Sequence, residues 1–229
     1  MLSLLATLLT VVLFIVAKRI YRFVPNVLLS PIFTTLLFTI LLLWLLHLPY
    51  KNYRQTADSL TAFLQPATVA FAIPLYRYLP MIKKHALTIF TSVFVGTIFA
   101  ITSTVLLAKS FHFTTQVTKS LAPRSVTTPF AMDVAQNLGG IPILTAIFVI
   151  MTALIGLIAG PILIKHLRLK SPIARGLMLG TAAHAAGTSR AFEFGSMEGS
   201  FASVSMILAA TITLFVATPL VHLLDFITS

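Results

Sequence analysis

Apolar residues in this chain come in long blocks rather than at alternating positions. Runs over about 2–17, 28–48, 86–108, 141–164 and 201–224 are each near the ~20 residues a helix needs to cross a bilayer core, and they predict spanning helices. The run over 60–82 is apolar enough for a sixth, but Pro66, Pro74 and Pro80 interrupt it. An internal proline removes a backbone hydrogen bond and kinks a helix. Two stretches fit no simple span: LAPRSVTTPFAMDVAQNLGG over 121–140 and GTAAHAAGTSRAFEFGSMEG over 180–199. Both are too polar to face lipid and too rich in small and apolar residues for ordinary loops. Irregular backbone at membrane depth survives only where protein or a watery cavity satisfies it. Both stretches therefore predict re-entrant or discontinuous helices, broken by Pro123, Pro129, Gly139 and Gly140 in the first and by Gly180 and Gly187 in the second. The expected fold is an all-α integral membrane protein of about six spanning helices plus these two elements, in a single domain over 1–229.

Charge placement suggests an orientation. With the N-terminus outside, Lys18, Arg19, Arg22, Arg77, Lys83, Lys84, Lys165, Arg168, Lys170 and Arg175 fall inside, and Lys51, Arg54, Lys109, Lys119 and Arg124 fall outside. That bias follows the positive-inside rule. Element 121–140 then enters from outside and element 180–199 from inside. A faint repeat pairs Leu64-Gln65-Pro66-Ala67-Thr68-Val69 with Leu121-Ala122-Pro123-Arg124-Ser125-Val126. It suggests the inverted-repeat plan of many secondary transporters.

Composition sharpens the class. The chain is 58% hydrophobic and 9% charged, with mean hydropathy +0.99, whereas soluble domains carry roughly 25% charged residues. The net charge of +11 would suggest nucleic acid in a soluble protein. Here the basic residues sit in short loops between apolar runs, where they set topology, and no nucleic-acid role is expected. They also leave a mildly positive field at the membrane faces, favouring anionic solutes and lipid headgroups. The absence of cysteine excludes disulfides, thiolate catalysis and Cys-ligated metals. The first apolar run precedes Lys18, Arg19 and Arg22, the reverse of the charge order in a cleaved signal peptide, so a retained first span is expected.

A few polar residues carry candidate chemistry. Arg124 lies among Ser125, Thr127 and Thr128 in the first broken element. Its guanidinium offers a fork of donors suited to a carboxylate, and hydroxyls with free N–H groups at a helix break can complete an anion site. The competing reading is an arginine that snorkels to headgroups or pairs with Asp133. Asp133 itself, one of five acids, is either a proton-coupling group at membrane depth or an acid at a helix end. In the second element, His184 with Thr181 and Thr188 sits among Gly and Ala residues that permit close backbone approach. The imidazole is a candidate donor to a carboxylate or a proton relay, against the plainer reading of a packed, hydrogen-bonded histidine. Arg190 is a second candidate for the anion, or the helical partner of Glu193 three residues on. Glu198 reads as an interface residue. The remaining histidines are scattered at span ends without metal-ligand spacing. With no GxGxxG, Walker or GxSxG motif, neither an enzyme nor a cofactor or metal is expected.

Four blocks carry a family resemblance. They are Phe63-Leu64-Gln65-Pro66-Ala67-Thr68-Val69-Ala70-Phe71-Ala72-Ile73-Pro74-Leu75-Tyr76; Leu121-Ala122-Pro123-Arg124-Ser125-Val126-Thr127-Thr128-Pro129; Gly139-Gly140-Ile141-Pro142 with Leu144-Thr145-Ala146; and Gly180-Thr181-Ala182-Ala183-His184 with Gly187-Thr188-Ser189-Arg190-Ala191. In this order, over nearly the whole chain, they resemble the LrgB/CidB family. The resemblance implies a multi-pass protein of the bacterial cell (inner) membrane, with two competing roles. One is transport of a small monocarboxylate anion such as pyruvate, as glycolate or glycerate is carried by the related plastid protein. The other is a holin-like or antiholin-like regulator of murein hydrolase activity and lysis, working with a small membrane partner of the LrgA/CidA type. A homo-oligomer is also expected. In the transport reading Arg124, Ser125, Thr127, Thr128, Thr181, Thr188 and Arg190 cradle the anion, and His184 or Asp133 carries a coupling proton.

Overall fold

The computed structural model describes residues 2–23, 29, 31–47, 53 and 72–227. It is all helical, with no strand among the described residues. The chain divides into two compact units, Met1–Ala72 and Ile73–Ser229. In the first, α1 (Leu2–Phe23) packs on α2 (Pro31–Leu45). Ala17, Thr34, Thr35 and Thr39 are buried there, and Thr39 Oγ1 donates to the Thr35 carbonyl at 2.7 Å. Back-bonding of this kind lets a hydroxyl sit in an apolar helix without an unpaired donor.

The second unit begins inside α3 (Ala72–Arg77) and holds α4 (Leu79–Lys84), α5 (Ala86–Ser110), α6 (Thr115–Leu121), α7 (Thr128–Leu138), α8 (Pro142–His166), α9 (Pro172–Phe194) and α10 (Ser196–Ile227). Helices α5, α8 and α10 are long and apolar enough to cross a membrane, at the runs expected for 86–108, 141–164 and 201–224. Long apolar faces stay exposed on them, including Phe99, Ile143, Ile155 and Phe215, as lipid contact requires. The sixth run, 60–82, is only partly within the described residues: Pro66 lies outside them, and 72–84 forms two short helices rather than one kinked helix. Pro74 is in the first turn of α3, and Pro80 opens α4, where a missing N–H costs no helical bond.

The element at 121–140 is discontinuous. Helix α6 ends at Leu121, residues 122–127 form an irregular turn containing Pro123, and Pro129 helps start α7. Gly139 closes α7 in the left-handed region (φ 80°), the backbone that glycine adopts at least cost. Gly140 packs against Ser120, whose hydroxyl accepts the Ile141 N–H at 2.7 Å.

The second element differs from expectation in both bounds and breaks. Helix α9 begins at Pro172 and runs to Phe194, and residues 196–199 belong to α10. Its break is at Ala183 (φ −132°, ψ 21°) and His184 (φ 41°, ψ −128°), not at Gly180 or Gly187. Those glycines are contact points. A Cβ on Gly180 would meet the Ala202 carbonyl and Ser205 Oγ of α10, and one on Gly187 would meet the Leu179 carbonyl across the break. Both read as breakers in the sequence because glycine signals flexible backbone and close packing alike.

Candidate functional site

Arg124 projects from the turn between α6 and α7. Its neighbours Ala122, Pro123 and Val126 are buried and anchor that turn, and the Arg124 N–H closes it on the Leu121 carbonyl at 3.1 Å. The side chain reaches two spanning helices. Its Nε donates to Thr104 Oγ1 of α5 at 3.1 Å, and Nη1 donates to Thr152 Oγ1 of α8 at 3.4 Å. Each hydroxyl gives its own proton to the carbonyl four residues back, Ala100 at 2.6 Å and Phe148 at 2.8 Å. Their lone pairs are thereby turned to the guanidinium. Two of arginine's five donors are used in this way, and no carboxylate pairs with it among the described residues. The side chain lines an open groove of about 580 Å³ between α8 and α9, with Thr152 and Gly156 on one wall and Leu179 and Ala183 on the other.

His184, at the break in α9, is 7% exposed. Its Nε2 lies 3.3 Å from the Val149 carbonyl. A carbonyl only accepts, so Nε2 carries the proton, and in the neutral ring Nδ1 is a bare acceptor. That Nδ1 is buried without a partner. Val149 and Thr152 are three residues apart, so His184 and Arg124 are tied to the same turn of α8. Gly156 makes room for the break, since a Cβ there would meet the Ala183 side chain. Thr188 Oγ1 donates to the His184 carbonyl at 2.9 Å and holds the second half of α9 against the break.

The other candidates are dispersed. Ser125, Thr127 and Thr128 are half-buried on the turn and start of α7, and none of them bonds Arg124. Thr181 lines a separate groove between α5 and α9. Arg190 pairs with Glu193 and stacks 5.7 Å from the Phe194 ring centroid, as the helical-pair reading expects. Asp133 is exposed on α7 and forms no ion pair with Arg124. Glu198, expected at an interface, is buried and pairs with Arg175 at 3.6 Å. Thr104 and Thr152 join the site without standing out in the sequence. Their only signal is a hydroxyl within an apolar run, which back-bonding usually explains.

The φ of +41° at His184 makes a testable demand. An L-residue held there stores on the order of 1–3 kcal/mol of strain, which glycine avoids. His184→Gly is expected to melt above His184→Ala in detergent, although both lose the same imidazole. An alanine variant as stable as the glycine variant would show that the break is unstrained.

Residues 10–223 match the LrgB-like family. YwbG of Bacillus subtilis (strain 168), described as uncharacterized, is 51% identical over 91% of this chain and 93% of its own length. Antiholin-like protein LrgB of the same organism is 35% identical over 85% of this chain and 84% of its own length. Antiholin-like protein LrgB of Bacillus mycoides (strain KBAB4) is 34% identical over 82% and 81%. No solved structure matches. Apolar helices of membrane-crossing length, together with similarity that runs along nearly the whole chain, place this protein in the LrgB-like family of membrane proteins.

Proposed function

We propose that the chain acts in the cell membrane as an antiholin-like protein that restrains murein hydrolase activity and lysis. The observation that supports this reading most directly is the name carried by relatives about a third identical over most of their length. In this proposal the protein is not an enzyme. It is a single multi-pass domain of about six spans with the element at 121–140 and the broken helix α9 re-entrant from opposite faces, related by an inverted repeat. It assembles with itself and with a small membrane partner of the LrgA/CidA type. A strain lacking the gene is expected to autolyse faster than its parent, with the wild-type gene restoring the slower rate. Unchanged autolysis in the deletion strain would remove the regulatory reading.

The Arg124 groove favours a second reading, secondary transport of a small monocarboxylate such as pyruvate or glycolate. A half-buried guanidinium with donors to spare, no acid partner among the described residues and a broken helix alongside is suited to a transient carboxylate. His184 is the candidate proton carrier, through its unpaired Nδ1. In proteoliposomes, uptake of labelled pyruvate is expected to saturate and to be competed by other small monocarboxylates. Unsaturable passage of unrelated solutes would indicate a holin-like pore and exclude a transporter. Carboxylate flux can itself influence lysis, so both assays belong to one set of variants.

A further inference from the structure

A second groove, of about 620 Å³, runs between α5 and α9 and adjoins the Arg124 groove at Met178 and Ala182. It follows His85, which caps α5, and then Thr88, Ser92, Gly96 and Ala100 of α5, one face of the helix at spacings of three and four. Fifteen residues at a rise of 1.5 Å make this furrow about 22 Å long, about three quarters of a ~30 Å hydrocarbon core. Its opposite wall includes Ile173, Leu177 and Met178. One end lies at His85 and Ser171 and is basic. Lys83 and Lys84 directly precede His85, Lys170 directly precedes Ser171, Lys165 lies in the last turn of α8 and Arg168 stands in the α8–α9 loop. All five are exposed, and none forms an ion pair among the described residues. The nearby Glu198 is buried and already paired with Arg175, so it does not offset their charge.

We propose that this furrow is a binding site for one anionic phospholipid, with an acyl chain between α5 and α9 and the headgroup phosphate among Lys84, Lys170 and their basic neighbours. The length and apolar wall fit a chain, and the charge at one end fits the phosphate. A free anion would satisfy the charges and leave the furrow unfilled. A lipid satisfies both.

The purified full chain, in nanodiscs mixing phosphatidylglycerol with phosphatidylcholine, provides the test, with retained lipid read by native mass spectrometry. Wild type is expected to retain phosphatidylglycerol preferentially. Lys84→Gln/Lys170→Gln is expected to weaken that preference roughly tenfold or more, because a lysine near a membrane surface contributes about fivefold. Ser92→Phe, at an exposed position that should tolerate the change, narrows the furrow. It is expected to reduce retention of both lipids, with little change in the thermal response to inorganic phosphate. Equal retention of the two lipids by wild type would overturn the proposal. So would undiminished retention in Ser92→Phe, stabilisation by inorganic phosphate equal to that by phosphatidylglycerol, or crosslinking of Ser92→Cys that shows a second copy of the chain in the furrow.

Discussion

Replacing Arg124 with alanine is expected to reduce carboxylate uptake in proteoliposomes to the leak of empty vesicles, while the protein still folds. Among the described residues the guanidinium has no acid partner, so its removal leaves no uncompensated carboxylate among them. What remains is Thr104 and Thr152, each already back-bonded to its own helix. A hydrogen bond to a charged group contributes about 1.5–3 kcal/mol, so loss of a two-pronged contact should weaken anion binding by at least tenfold. Arg124→Lys separates charge from shape. It keeps a cation but cannot reach α5 and α8 through one planar fork, and should fall between alanine and wild type. Wild-type uptake by Arg124→Ala would end the anion role of this residue. Lost restraint of autolysis with wild-type uptake would separate regulation from transport.

Gly180→Leu is expected to yield no folded monodisperse protein. Gly176 and Gly180 lie one turn apart on α9 and seat it on α10. A Cβ on Gly176 would meet the Glu198 carbonyl, and one on Gly180 the Ala202 carbonyl and Ser205 Oγ. These obstacles are mostly backbone and cannot rotate away, and close approach through small residues is a main source of helix association in a bilayer. Gly180→Ala, the smallest intrusion, should cost about 1–3 kcal/mol. Gly139→Ala is the control. It has no atom within 4 Å of the added Cβ but a φ of 80°, so it should cost only about 1 kcal/mol from backbone conformation. Thermal unfolding in detergent, read by size exclusion, ranks the three. A Gly180→Ala variant no less stable than Gly139→Ala would show that the α9–α10 seam has slack.

Parts of the candidate site are legible in the amino-acid sequence alone. Pro123, Pro129 and Gly139 mark the ends of α6 and α7 because their effect is local: a missing N–H and a positive φ act wherever the residues stand. Arg124 stands out for a related reason, a permanent charge between apolar runs. The break in α9 falls away from the glycines that signal one, because its cause is not local. Ala183 and His184 carry no breaker signal. Their backbone departs from the helix where Gly156 lets α8 approach and Val149 offers a carbonyl to the imidazole.

By itself, the sequence determined the class of solvent and the element type. Apolar runs of bilayer length must satisfy their backbone internally, and only helices do so within one segment. It also determined that two polar segments interrupt those runs. The tertiary structure decided which polar groups meet. Arg124 finds Thr104 twenty residues before it and Thr152 twenty-eight after it, while nearby Asp133, nine residues away, faces outward. Spacing along a helix fixes which face a residue occupies. Which other helix that face meets depends on close approach at Gly156, Gly176 and Gly180, and that is a property of the packed assembly.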